Sequence, residues 1–96
     1  MNKFSIIQNK KECYVCGKQS NLHLHHVIFG KNRKKCDEDK LTVWLCQEHH
    51  EGTNGVHGRN GHELDKRLKV QAELAWCEYY NKTPDEFYRR YWRNYL

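Results

Sequence analysis

The apolar positions of this chain change period partway along, dividing it into a short β-type part and a longer helical part. Between Leu22 and Phe29, the residues Leu22, Leu24 and Val27-Ile28-Phe29 alternate with a run of histidines. The β-branched and aromatic end of that segment predicts a strand. Leu41 to Leu45, containing Thr42, Val43 and Trp44, predicts a second short strand. The polar stretch Gly30 to Lys40 reads as the loop between them, so the two strands form a hairpin-like pair. From His62 to about Asn81 the period lengthens. Leu64, Leu68, Ala72, Ala75 and Tyr79 recur at helical steps with no Gly or Pro between them, which predicts a long helix. Thr83-Pro84-Asp85-Glu86 spells a capping box with proline at the first helical position. It opens a last helix through about Asn94, with Phe87, Tyr91 and Tyr95 on one stripe. Residues 1–12 read as a loose lead-in, and His49 to Gly61, rich in Gly and Asn, as an irregular loop or a broken helix start.

Ninety-six residues leave room for one domain and one core. With 38% hydrophobic residues and a mean hydropathy of −1.07, burial alone is a thin source of stability. A structural metal would add folding free energy, because its site does not exist in the unfolded chain. Five cysteines, an odd number, argue against a closed disulfide framework. Neither a signal peptide nor an apolar span of membrane length is visible, so a reducing cytoplasm and no membrane are expected. The net charge of +5 is concentrated in residues 1–48, where nine Lys/Arg face five Asp/Glu. A basic surface favours a polyanion, and inside a cell the commonest is nucleic acid.

The composition also holds seven histidines, most of them beside cysteine clusters. Cys13-x-x-Cys16 and Cys46-x-x-His49 supply four ligands in two knuckles, spaced so that each pair converges on one tetrahedral zinc ion. His50 could replace His49, and the spacing does not choose between them. Cys77, in the long helix, reads as a core or half-buried residue, and Cys36, in the charged loop, as an exposed thiol or a spare ligand. A redox role for Cys13-x-x-Cys16 is disfavoured, since no βαβ pattern surrounds it. His25-His26, His50 and His57 form a second group, and His23 and His62 read as surface residues.

The CxxC knuckle, the strand ending His25-His26 before an apolar run, and Leu45-Cys46-x-x-His49-His50 together resemble the HNH nucleases of the ββα-metal, or His-Me finger, group. The likeness spans about Cys13 to His57. The continuation from Gly55-Val56-His57-Gly58 into the C-terminal helices is similar to small bacteriophage-borne HNH proteins, which would place the chain in a bacterial host cell. The resemblance implies an α+β fold: a small zinc-stabilised ββα-metal core over residues 13–61, extended by two C-terminal helices over 62–96. It implies a metal-dependent DNA endonuclease that hydrolyses phosphodiester bonds, with His26 matching the general base. His25 and His50 match ligands of the hydrolytic ion, and either His57 or Asn54 completes the set. That ion would be Mg²⁺ or Mn²⁺, and an imidazole-rich site would also accept Zn²⁺ or Ni²⁺. The family's middle Asn is replaced here by Asp37-Glu38-Asp39-Lys40-Leu41-Thr42, so Asp39 or Thr42 would hold the loop instead. Adjacent His25 and His26 would face opposite ways in a regular strand; only a bulge or a strand end lets both serve one site, so an irregular backbone is expected there.

Lys31, Arg33, Lys34 and Lys35 follow the histidine strand directly, and Arg89, Arg90 and Arg93 sit near Tyr88 and Trp92 in the last helix. Such residues position a phosphate backbone without reading sequence, so the expected partner is DNA, bound largely independently of sequence. Two rival classes fit the same residues: a non-catalytic zinc module that binds nucleic acid, and a protein-interaction adaptor that uses the aromatic C-terminal end.

Overall fold

The computed structural model describes residues 5–96 as an α+β fold, a two-stranded antiparallel sheet with four helices. In chain order these are β1 (Leu22–His26), a 3-10 turn (Gly30–Asn32), α1 (Arg33–Glu38), β2 (Thr42–Cys46), α2 (Gln47–His50), α3 (His62–Tyr80) and α4 (Pro84–Tyr91). The hairpin register pairs His25 with Val43 and His26 with Thr42. His23, His25, Val43 and Leu45 therefore share one face of the sheet, and His26 lies on the other.

The expected strand to Phe29 ends at His26. Val27 and Ile28 leave the ladder but enter the core, while Phe29 is exposed. The expected loop Gly30–Lys40 is largely helical. Arg33–Glu38 contains neither Gly nor Pro, and one turn and a half is too short for a period to show in the sequence. That helix buries Cys36 completely, which corrects its reading as an exposed thiol or spare ligand. Its S–H donates to the Leu41 carbonyl (2.9 Å) and its sulfur accepts from the Ile28 N–H (3.4 Å).

The lead-in is not loose over residues 5–12. Ser5 donates to the Thr42 carbonyl (2.6 Å), the Ile6 N–H donates to the Lys40 carbonyl (3.0 Å), and Gln8 Oε1 accepts from the Trp44 N–H (2.8 Å). In a two-stranded sheet the outer edge of β2 needs partners, and this segment supplies them.

Both C-terminal helices form as expected, with shifted faces and ends. The inward series of α3 is Leu68, Ala72 and Trp76, flanked by the partly buried Leu64 and Tyr80, whereas Tyr79 is 57% exposed. The Thr83/Glu86 capping box starts α4, which stops at Tyr91 because Trp92 takes a left-handed conformation (φ 60°). Tyr95 still packs on Phe87 from outside the helix.

Two buried carboxylates hold these helices down. Asp39 Oδ2 accepts from Trp76 Nε1 (2.9 Å), the Tyr91 hydroxyl (2.6 Å) and Arg90 Nε, and its carbonyl accepts from Tyr80 (3.0 Å). Burial and the neighbouring Asp39 together push the Tyr91 hydroxyl pKa up, so it remains a donor. Glu73 accepts from Asn94 Nδ2 (2.9 Å) and the Tyr95 N–H, clasping the C-terminal segment to α3. Asp39 thus ties the segment before β2 to α3 and α4, while the Thr42 hydroxyl finds no hydrogen-bond partner among the described residues.

Between α2 and α3 the chain coils tightly. The N–H groups of Gly55, Gly58 and Gly61 each donate to the carbonyl of the glycine three residues earlier. A Cβ at Gly58 would lie 1.9 Å from the Gly52 carbonyl oxygen, so the successive turns pack against bare backbone.

Candidate metal centres

The first centre grows from two tight turns at the ends of the hairpin. The Gly17 N–H donates to the Cys13 carbonyl (2.8 Å), with Gly17 at φ 79°, and this bends the chain so that Cys13 and Cys16 face inward together. Cys46 ends β2 and His49 follows on α2. The four side chains converge: Cys13 Sγ and Cys46 Sγ lie 3.6 and 3.3 Å from His49 Nδ1, and Cys16 Sγ lies 3.9 Å from Cys46 Sγ. Donors at about 2.0–2.3 Å from a tetrahedral zinc ion stand about 3.3–3.8 Å apart, so this spacing fits such an ion. It is far too long for a disulfide, whose sulfurs sit at about 2.0 Å. Burial works against a Cys13 thiolate, but N–H groups of Cys46, Cys16 and Val15 outweigh it and bring its pKa down to about 6. The Lys18 N–H favours a Cys16 thiolate, yet desolvation and the neighbouring sulfurs outweigh it and raise its pKa. Crowded sulfurs that resist joint ionisation are what a divalent cation would relieve. His49 rather than His50 takes the fourth place, which settles the register the spacing left open.

The second group forms on the opposite side of α2. His25 projects from β1 toward His50, and the coiled loop brings in His57, whose N–H donates to the His50 carbonyl (3.1 Å). Ring centroids stand 5.3 Å (His25–His50), 5.4 Å (His25–His57) and 4.9 Å (His50–His57) apart. One nitrogen from each ring lies within 4.8 Å of the other two. Nε2 of His25 is buried and has no hydrogen-bond partner among the described residues, an unusual state for a buried polar atom. Burial, reinforced by His50 and His57, pulls the His25 pKa down to about 3, so its ring is a neutral donor. Burial also lowers the His50 pKa. Among the described residues no fourth His, Cys, Asp or Glu joins these three rings, whereas the first group offers four donors, the number a tetrahedral ion takes. Of the two alternatives for the last ligand, His57 stands with His25 and His50, while Asn54 is exposed and its Oδ1 accepts from Asn60 Nδ2 (3.4 Å).

His26 lies on the other sheet face. The strand is regular through His26, without the irregular backbone expected there, and His26 is its last residue. Its Nε2 pairs instead with Asp37 Oδ1 at 3.0 Å. His26 and Asp37 line a groove together with Lys31, Arg33 and Lys34. The remaining basic candidates divide. The Lys35 ammonium donates to the Arg90 carbonyl (2.9 Å), Arg90 is committed to Asp39 and Glu38, and Arg93 stacks on Tyr95 at 5.5 Å. Lys35 and Arg90 are therefore engaged within the fold, while Arg89 and Arg93 are exposed.

Several residues near the pocket gave no signal in the sequence. Phe29 packs on His25 and His57, and Lys69, with a side chain only 17% exposed, lies 4.6 Å above the Phe29 ring and pairs with Asp65 (2.8 Å). His23, read as a surface residue, contacts His50 (Nδ1 to Nδ1, 2.9 Å) and lies 3.9 Å from Glu51. The H-x-H alternation of β1 was the available clue, since it puts His23 on the His25 face. His62 is exposed, as expected.

Among the described residues, no helix is long and apolar enough to cross a membrane. Comparison of the chain with protein-family models, with curated proteins and with solved structures returns no match.

Proposed function

We propose that this protein is a metal-dependent DNA endonuclease of HNH type, with a ββα-metal core of β1, β2 and α2 stapled by zinc at Cys13, Cys16, Cys46 and His49. The observation that carries this reading is the division of β1. One face presents His25 to His50 and His57, and the next residue presents His26 to Asp37 in a basic groove.

His25, His50 and His57 would hold the hydrolytic cation, which supplies charge stabilisation at the phosphate and at the departing 3′-oxygen. An all-imidazole set suits Mn²⁺, Zn²⁺ or Ni²⁺ better than Mg²⁺, which prefers oxygen donors. His26, the last residue of β1, is the general base in this reading, which requires the strand end to turn its ring from the face it occupies here toward the cation. By donating Nε2–H to Asp37 it keeps Nδ1 free as the lone pair that deprotonates the attacking water, and the carboxylate stabilises the imidazolium formed. Lys31, Arg33 and Lys34 hold backbone phosphates beside His26, and such contacts are indifferent to base sequence.

The test is cleavage of supercoiled plasmid with Mg²⁺, Mn²⁺, Zn²⁺ or Ni²⁺, comparing wild type with His26→Ala. The expected result is cleavage by wild type and a rate about 10²- to 10⁴-fold lower for the variant. Equal rates would remove His26 from the mechanism. No cleavage with any of these ions would leave a zinc module that binds nucleic acid without cutting it.

A further inference from the structure

We propose that His23 and Glu51 form a positioning pair that fixes the tautomer of His50, so that only Nε2 of that ring is offered to the pocket cation. The inference rests on the reading of His25, His50 and His57 as a metal pocket and assigns a role to two residues outside it.

Nδ1 of His50 stands 2.9 Å from Nδ1 of His23, and Glu51 Oε1 lies 3.7 Å from the first and 3.9 Å from the second. Two neutral imidazole nitrogens at that distance require one N–H and one lone pair between them. If His50 donates, its proton sits on Nδ1 and its Nε2 lone pair faces the pocket that His25 and His57 share. If His23 donates, the His50 proton moves to Nε2 and the pocket loses a donor. Glu51, the residue after His50, sets its carboxylate beside both nitrogens, so its negative charge favours an N–H between the rings without by itself choosing the donor, and the choice of His50 Nδ1 is what the proposal commits to. The two rings meet edge to face, 5.1 Å between centroids, so His23 also limits rotation of the His50 ring, whose side chain is only 15% exposed. The placement follows from the fold: His23 is two residues from His25 on the same strand face, and Glu51 caps the short α2 that carries His50. His23 and Glu51 are therefore positioning residues, acting on the cation only through His50.

The experiment titrates Co²⁺ into the full chain already loaded with one zinc equivalent, following the visible absorption of cobalt, for wild type, His23→Phe and His23→Gln. Wild type takes one further ion. His23→Phe lowers the affinity for that ion by about 10- to 100-fold, while His23→Gln, whose amide oxygen accepts the same N–H, recovers most of it. Long-range ¹⁵N–¹H spectra of the zinc-saturated wild type place the His50 proton on Nδ1. Two results would overturn the role and leave the pocket standing: His23→Phe affinity within twofold of wild type, or a proton on His50 Nε2 with the ion on the Nδ1 side. A wild type that takes no second ion would overturn the pocket itself. Should His23→Phe fail to fold, the wild-type spectrum alone decides the tautomer.

Discussion

The cluster of Cys13, Cys16, Cys46 and His49 and the pocket of His25, His50 and His57 share one hairpin and one short helix, yet they are built differently. In the first, three sulfurs and one nitrogen stand at distances that fit a tetrahedral ion and bring together residues far apart in the chain. In the second, three imidazole rings gather without a fourth His, Cys, Asp or Glu among the described residues, and the buried Nε2 of His25 has no partner among them. Consecutive residues of α2 feed the two sites: His49 goes to one and His50 to the other. The difference teaches that donor number separates a staple from a candidate reactive centre even when both use the same helix.

The sharpest way to break the comparison is to remove a donor from each side. Cys46→Ala, or chelation of the zinc-type ion, should abolish cooperative thermal unfolding, because such an ion contributes on the order of 10 kcal/mol to domains of this kind. His57→Ala, at an exposed position, should melt within about 1 kcal/mol of wild type and lose only the second ion. Elemental analysis beside circular dichroism melts checks both. Equal destabilisation by the two substitutions would erase the distinction.

A smaller effect is expected from the loop that delivers His57. Gly58→Ala sets a Cβ against the Gly52 carbonyl and should cost about 1–3 kcal/mol. It should also weaken the second ion while sparing the first, as metal titration would show. Unchanged affinity for the second ion would mean that the glycine coil does not place His57.

The smallest effect concerns a cysteine that belongs to neither site. Burial pushes the Cys36 thiol from 9.0 up to about 11. Above pH 9 the unfolded chain loses that proton more readily than the folded one. Stability should therefore fall as pH rises from 9 to 11, by at most about 1.4 kcal/mol per pH unit. Cys36→Ala should flatten this limb in alkaline melts of the metal-loaded protein. A limb of the same slope in the variant would assign it to other groups.

What the sequence made legible follows from the range over which each signal acts. The knuckles were visible because two ligands at x-x spacing are a local pattern, and the capping box because its four residues are contiguous. The helix Arg33–Glu38 was hidden by its length and charge. The inward face of α3 was misplaced by one residue in its second half because Tyr79 and Tyr80 are equally apolar in a one-dimensional count. Glu73 carried no mark, and Asp39 stood out only as a stand-in for the family's middle Asn, since a carboxylate becomes a hub only when distant donors such as Trp76, Tyr91 and Asn94 reach it. His25, His50 and His57 came through the resemblance, and their convergence depends on a loop whose glycines signalled only irregularity. Asp37 gains meaning solely from a partner that the fold supplies, and the H-x-H alternation marks the face of His23 but not its contact with His50.

The most direct measurement of the central claim is anomalous diffraction at the zinc edge from crystals grown with excess zinc. The account predicts two peaks per chain, one ringed by Cys13, Cys16, Cys46 and His49, the other by His25, His50 and His57 with a position left to solvent. A single peak at the cysteines, with the three imidazoles turned apart, would contradict it.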